Sequence, residues 1–293
     1  RINPKRIAIP LVVAVTGHRD LVEDEIPGIR DRVRGLFSEL RERYPERRLR
    51  VMSPLAEGAD RLVAEEALAH GIDLIVPLPM PREEYIRDFE TEESIAEFDR
   101  LCEAANEILH LPLARKNTRE DIADYGPARD LQYAQVGVFL CAHCHILLAL
   151  WDGKLTGDLG GTGQVVRFHH DDIMEGYTER STASQQMLVD DESDLVYHIV
   201  CSRDRPNGKP HRDFKPLQAW WFTKDEEQPR RTSIPPQHQV IFERSGEFSR
   251  DARQFAHRIG DECYPLYDER ETDYLPRGIK TIHYVFCIAD WLA

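Results

Sequence analysis

The chain has 293 residues, 41% hydrophobic and 31% charged; that is globular composition, with room for one large domain or a domain and an extension, and it excludes a disordered tail. Lysine and arginine number 38 against 52 aspartates and glutamates, a formal net charge of −14, which argues against a general grip on DNA or anionic membrane because such binding needs clustered cations. Six cysteines are too sparse for a disulfide scaffold at this length and no basic-and-apolar leader opens the sequence, so a reducing, cytoplasmic setting is expected.

Leu11–Thr16 (LVVAVT) is apolar without polar alternation, the pattern of a strand buried on both faces. The loop Gly17–Asp24 leads to an amphipathic helix with Ile26, Ile29, Val33, Phe37 and Leu40 on one face. Arg48–Met52 is a second strand. Gly58 opens a second helix, with Leu62, Val63, Ala67 and Leu68 apolar, and Gly71 stops it. Ile72–Leu78 is a third strand closed by the Pro77–Pro81 cluster; a charged helix over Glu92–Ala105 and a short strand at Ile108–Leu111 follow. A helix over Ala128–His143 runs into a buried strand at Ile146–Trp151 (ILLALW), then a glycine-rich loop and a helix from Gln164. Gln135, His143 and His145 interrupt the apolar stretch here, so it reads as a helix passing into a strand and not as a membrane span.

Apolar strands alternating with helices predict an α/β fold: a doubly wound, Rossmann-like, mainly parallel sheet of about five or more strands with helices on both faces. This domain is expected to take residues 1–177, and residues 178–293 a C-terminal α+β extension packed on it. In the extension, Thr178–Ser193 is polar, Leu195–Cys201 is a strand, and a basic loop over Arg203–Lys215 leads to a partner strand at Ala219–Thr223, a long-looped hairpin. Pro235-Pro236 punctuates, and helices follow over Phe248–Cys263 and Ile279–Leu292. The last carries Ile279, Ile282, Val285, Phe286, Ala289 and Leu292 at helical spacing. It either docks on the domain or leads toward membrane-spanning helices outside this chain. Opening on Arg1 and closing inside an apolar run are what an excerpt of a longer protein shows.

Ligands of parallel α/β sheets bind beyond the carboxyl ends of strands, where loops enter helix N-termini. Three such loops have the composition for it. Thr16-Gly17-His18-Arg19 follows the first strand; Ser53 to Arg61 (SPLAEGADR) joins the second to its helix; Trp151-Asp152-Gly153 and Gly160-Gly161-Thr162-Gly163-Gln164 follow the strand ILLALW. Glycines let backbone N–H groups approach a phosphate, and Thr16, Ser53 and Thr162 add hydroxyl donors. A small anionic ligand fits such a nest despite the acidic balance.

SPLAEGADRLVAEEALAHGIDLIVPLP resembles the DNA-processing-protein pattern of the SLOG superfamily, the group that also holds the Lonely Guy cytokinin-activating enzymes. TGHR resembles its first nucleotide loop, and LALWDG with GGTG its second, over about Ile9 to Met174. The resemblance implies a Rossmann-like nucleotide pocket. A subgroup of bacterial membrane-associated conflict (antiphage) proteins is similar as well, through VYHIVCSR and IADWLA, and in that subgroup such a domain precedes transmembrane helices. The Lonely Guy loop carries a glutamate three positions after its threonine. Aligned on Gly160, Gly161 and Gly163, this chain has Gln164 at the threonine and Arg167 at the glutamate. Glycosidic hydrolysis needs a carboxylate, whereas arginine pairs with phosphate, so a second-messenger sensor is expected over a phosphoribohydrolase. Glu57, Asp60 or Asp152 are the carboxylates left to an enzyme.

The residues expected to bind ligand are therefore Thr16, Gly17, His18, Arg19, Ser53, Glu57, Gly58, Ala59, Asp60, Arg61, Trp151, Asp152, Gly160, Gly161, Thr162, Gly163, Gln164 and Arg167. Asp60 either accepts from a ribose hydroxyl or caps its helix. No catalytic residue, metal or cofactor beyond the nucleotide is assigned. Cys141 and Cys144 lack the second ligand pair of a zinc site and read as core cysteines; His169–Asp172 reads as a solvated helix end and Asp190–Asp194 as a solvated loop. Trp220-Trp221 is expected to pack on the core. Nucleic acid is not an expected partner. A homo-oligomer is, and membrane contact only through a region outside this chain.

Overall fold

The structure, a computed structural model, describes residues 9–155, 157–178, 194–224, 230–262 and 274–292. Seven strands form one sheet: β1 (Leu11–Gly17), β2 (Leu49–Met52), β3 (Asp73–Leu78), β4 (Glu107–His110), β5 (Ile146–Trp151), β6 (Val196–Val200) and β7 (Ala219–Phe222). Their order is β4-β3-β2-β1-β5-β6-β7, with every pairing parallel except the antiparallel β6–β7. The chain winds outward from β1 to β4, then crosses back to place β5 on the other side of β1. That reversal makes the crevice between β1 and β5 the topological switch point, the place where doubly wound folds bind ligands.

Alternation along the strands sends side chains to two cores. Val13, Val15, Val51, Leu74 and Leu148 pack under α1 (Ile26–Arg43), α2 (Ala59–Ala69) and, beyond a one-turn α3 (Arg82–Tyr85), α4 (Glu92–Ala104). Val12, Ala14, Met52, Ile75, Leu147 and Ala149 face α5 (Pro127–Ala142) and α6 (Thr162–Asp171). Both faces are covered, which is why the strands read as unbroken apolar runs. Cys141 and Cys144 lie buried in the second core, and Trp221 in the first.

The sheet does not stop at residue 177. β6 pairs in parallel with β5, Leu147 to Trp151 against Val196 to Val200, and the hairpin partner β7 closes that edge. Residues 194–222 thus share the sheet of the first 177, across the boundary expected there.

Four expectations are corrected. The helix placed at Phe248–Cys263 is two helices, α7 (Pro236–Gln254) and α8 (Ala256–Glu262); Pro236 occupies the first helical turn, where a missing N–H costs nothing, so the proline pair starts the helix. His169 is buried, its ring Nε2 3.3 Å from the Leu195 carbonyl, and His170 packs edge-on to Phe222, so these two are tucked under β6 and β7, while Asp171 and Asp172 are exposed as a solvated helix end. Asp194 is buried beside His238 at 3.6 Å and accepts the Lys224 N–H, so the end of the acidic run is not solvated loop; residues 179–193 lie outside the described residues. In α9 (Arg277–Leu292) the docked stripe is Cys287, Ile288 and Trp291 against Phe248, Phe255 and Ile259. The apolar face counted from the sequence is the other one: Ile279, Ile282, Val285 and Phe286 are exposed, Ile282 by 66%. Among the described residues no helix is long and apolar enough to cross a membrane.

Candidate functional site

The three loops meet at the carboxyl edge of β2, β1 and β5, tied by backbone bonds. The His18 N–H donates to the Leu150 carbonyl at 3.1 Å and the Ala59 N–H to the His18 carbonyl at 3.1 Å. Gly58 sits at φ +79°, where a Cβ would lie 2.2 Å from the Arg19 carbonyl oxygen. Only glycine lets the second loop cross the first so closely. On the other side of the switch point, Nε2 of His18 lies 3.2 Å from Asp152 Oδ1 and 3.1 Å from the Asp152 backbone nitrogen. Burial pushes the Asp152 carboxyl up, but His18 and Lys154 together outweigh it and hold the group below its ordinary value.

Most of the expected polar side chains are spent within the fold. Thr16 and Gly17 are the last strand residues, in register with Ala149 and Leu150. The Ser53 hydroxyl donates to the Asp60 carbonyl at 2.9 Å and accepts the Leu55 N–H at 3.2 Å, which fixes the loop. Arg61 is 2% exposed, stacked on Phe89, and donates to the Leu55 and Ser94 carbonyls, the Ser94 hydroxyl and Glu97. Its Nη2 is buried without a partner among the described residues, so burial, not a full set of partners, keeps it from the surface. Glu57 accepts the Glu90 N–H at 3.0 Å and the Ser94 hydroxyl, so it too is engaged. The Trp151 indole donates to the Lys154 carbonyl at 3.0 Å. Arg167 points down its helix to Asp171 at 3.6 Å and Glu175 at 3.3 Å. The loop three positions before it gains no cation from it.

What remains open is a smaller set. Arg19 is exposed, forms no ion pair among the described residues, and lies 5.2 Å over the ring of Tyr133 on α5. Gly160, at φ +76°, packs on the same residue: a Cβ there would stand 2.8 Å from the Tyr133 carbonyl carbon. Tyr133 is thus the residue that both the Arg19 loop and the glycine loop contact. At the start of α6 the Gly160 N–H donates to Gln164 Oε1 and the Gly161 N–H to the Asp158 carbonyl. The first helix-closing bond runs from the Val165 N–H to the Gly161 carbonyl. The N–H groups of Thr162, Gly163 and Gln164 have no hydrogen-bond acceptor among the described residues, and a helix dipole favours an anion at such an end, although Thr162 and Gly163 are themselves buried, Gly163 against Lys154, Leu155 and Trp151.

A fourth loop, after β3, completes the wall, and sequence reading passed over it. Tyr85 and Asp88 come from its short helical turns, and Tyr133 and Arg129 from α5. Arg129 is buried against Asp88 at 2.8 Å and also donates to the Ile122 and Glu84 carbonyls, while the Tyr133 hydroxyl donates to Asp88. Tyr85 is fully buried and its hydroxyl has no partner among the described residues. Asp60 is 6% exposed; its Oδ2 accepts the Ala56 N–H at 3.3 Å, so it closes its own loop and does not cap α2. Burial pushes this carboxyl up to about 7, although the Ala56 N–H, Arg19 and Arg61 all pull the other way. The available signal was the arrangement of tyrosines and acids at strand-end and helix-start positions, which carries no glycine to mark it.

No family model matches the chain, and no curated protein matches it. Among solved structures, DNA processing protein A (DprA) from Streptococcus pneumoniae is similar over 48% of this chain and 41% of its own length, at 15% identity and a TM-score of 0.32. The matched part is under half of either protein.

Proposed function

We propose that the chain is a SLOG-like sensor domain that binds a nucleotide-derived second messenger at the β1–β5 crevice and leaves it intact. The observation that supports this reading is Arg19: exposed, without an ion pair among the described residues, and set over the ring of Tyr133, the residue whose backbone the Gly160 turn before α6 packs against. A planar cation and a helix N-terminus on two sides of the same tyrosine would suit a phosphate or pyrophosphate. The tyrosine and the Gly160 turn suit the rest of a nucleotide. As part of the same proposal the chain self-associates, the ligand favours one assembly state, and the domain serves a bacterial defence effector that reaches the membrane through a region outside this chain.

Asp60 favours a second reading, a phosphoribohydrolase. Glu57 is engaged and Asp152 is held ionised, whereas Asp60 is the carboxyl tuned to exchange a proton near neutral pH. Incubation with ADP-ribose, NAD and cyclic dinucleotides, followed by chromatography, separates the two. The sensor reading predicts full recovery of each compound. Release of free base or ribose, abolished by Asp60→Asn, contradicts it.

A further inference from the structure

We propose that Arg230 anchors a second oxyanion site, one that takes a phosphate or carboxylate group of a small ligand on the Nε and Nη2 edge of its guanidinium. None of its contacts involves Arg19, so it stands apart from the nucleotide reading. Arg230 precedes Arg231, whose backbone exchanges hydrogen bonds of 2.7 and 2.9 Å with Trp221 on β7, and so it lies along that edge of the sheet. Its guanidinium is 4.2 Å from the ring centre of Phe222 and 4.6 Å from that of Phe214, both cation–π distances. Nη1 lies 2.7 Å from Nδ1 of His198 on β6. The tautomer follows from the other ring nitrogen. His198 Nε2 is 2.9 Å from the Trp151 carbonyl, which can only accept, so Nε2 carries the proton and the bare Nδ1 accepts from Arg230. His198 is fully buried, and burial lowers its ring to about 4, with Arg230 adding to the shift and the Trp151 carbonyl opposing it. Phe214 is packed on Gly153, where a Cβ would stand 2.6 Å from its ring. The guanidinium is therefore held by two rings and a neutral imidazole.

What these contacts lack is a counter-charge. Arg230 is partly buried, and among the described residues it has no carboxylate within ion-pair distance; burial lowers its pKa with no acid opposing. A cation taken out of water without a partner is costly, and an anion that reaches it recovers that cost. Nη1 is committed to His198. Nε and Nη2 have no hydrogen bond among the described residues, and neither is sealed from solvent. Their N–H groups lie side by side on one edge of the plane, the fork that meets two oxygens of a phosphate or carboxylate. A second polar group on the Phe222 ring also lacks a partner: His170 packs edge-on to that ring, and its Nε2 is buried with no hydrogen bond among the described residues. The loop that brings Phe214, Arg203–Lys215, carries five arginines and lysines against two aspartates, so the local field favours an anion in a chain whose net charge is −14.

The test is nitrogen-15 NMR of the Arg230 Nε–H group in the full chain, assigned by its loss in Arg230→Lys, during titration with inorganic phosphate and, separately, with sodium acetate. Sodium chloride at matched ionic strength is the control. The Nε–H resonance should move saturably in the low millimolar range with at least one of the two oxyanions, and the tighter of them names the ligand class. Arg19→Ala should leave that titration unchanged, which separates the site from the β1–β5 crevice. Arg230→Lys keeps the charge and loses the fork; followed on the Phe214 ring resonances, it should need at least tenfold more anion. An Arg230 resonance that neither oxyanion moves, in wild type whose spectrum is that of a folded chain, overturns the site. So does a shift that chloride reproduces, because that is screening and not binding.

Discussion

Arg19 and Arg61 each follow a strand-end glycine by two or three residues, and burial gives them opposite roles. Arg61→Ala removes a stacked, multiply bonded guanidinium from the core and strands Glu97 and two carbonyls. A loss of about 3–5 kcal/mol in urea unfolding is expected. Arg19→Ala removes an exposed cation and should leave stability within about 0.5 kcal/mol, while weakening nucleotide binding at least tenfold, roughly the worth of one charge-assisted contact. Asp60 makes a pH prediction with a definite sign. Its folded carboxyl holds a proton up to about 7, against an ordinary value of 3.8. The unfolded chain has therefore lost a proton that the folded chain keeps, so this group's contribution makes stability fall as pH rises from about 4 to about 7 and then level. Asp60→Asn should abolish that fall and be the more stable protein at pH 8, by on the order of 2–4 kcal/mol. Sequence could name all three residues as candidates. It could not rank them, because the ranking lies in contacts from Ser94, Phe89 and Tyr133, far away in the chain.

At the scale of elements, the strands and the first helices were legible because each carries one dominant periodicity: β1, β3 and β5 as apolar runs, α1 as a single buried face. α9 was misread for the same reason. It has two apolar stripes, and the one with the cleaner spacing is the exposed one. α7 was missed over its first half because Pro235-Pro236 reads as a break and its buried positions include His238, Gly246 and Ser249, which carry little hydrophobic signal. The loops were legible by their glycines. Gly58→Ala tests that directly: at φ +79° a Cβ strikes the Arg19 carbonyl oxygen, so a loss of about 2–3 kcal/mol in thermal or urea unfolding is expected, with the Arg19 loop displaced. Gly161→Asp is the counterpart, because Gly161 is the extended N-cap of α6. Asp is a favourable N-cap, so stability should hold within about 1 kcal/mol, while its negative charge excludes an anion from the helix start.

At the scale of the whole molecule, a chain of net charge −14 has an exposed arginine, Arg19, in the loop after β1 at the switch point of its sheet. The fold was readable in outline from the strand–helix alternation. The joining of β6 and β7 to the same sheet was not, since nothing local in VYHIV says which edge it pairs with. The proposed self-association is checked by light scattering with and without ADP-ribose; a change in assembly mass on adding ligand is expected, and an unchanged monomer contradicts it, because a ligand shifts an assembly only by binding one state more tightly. The central claim is that the Arg19–α6 corner is where a nucleotide's phosphates bind. Calorimetry of wild type, Arg19→Ala and Gly161→Asp against ADP-ribose at pH 6.5 tests it most directly. Saturable heat from wild type, with binding at least tenfold weaker in both variants at unchanged melting temperature, is the predicted result; equal heats from all three proteins would contradict it.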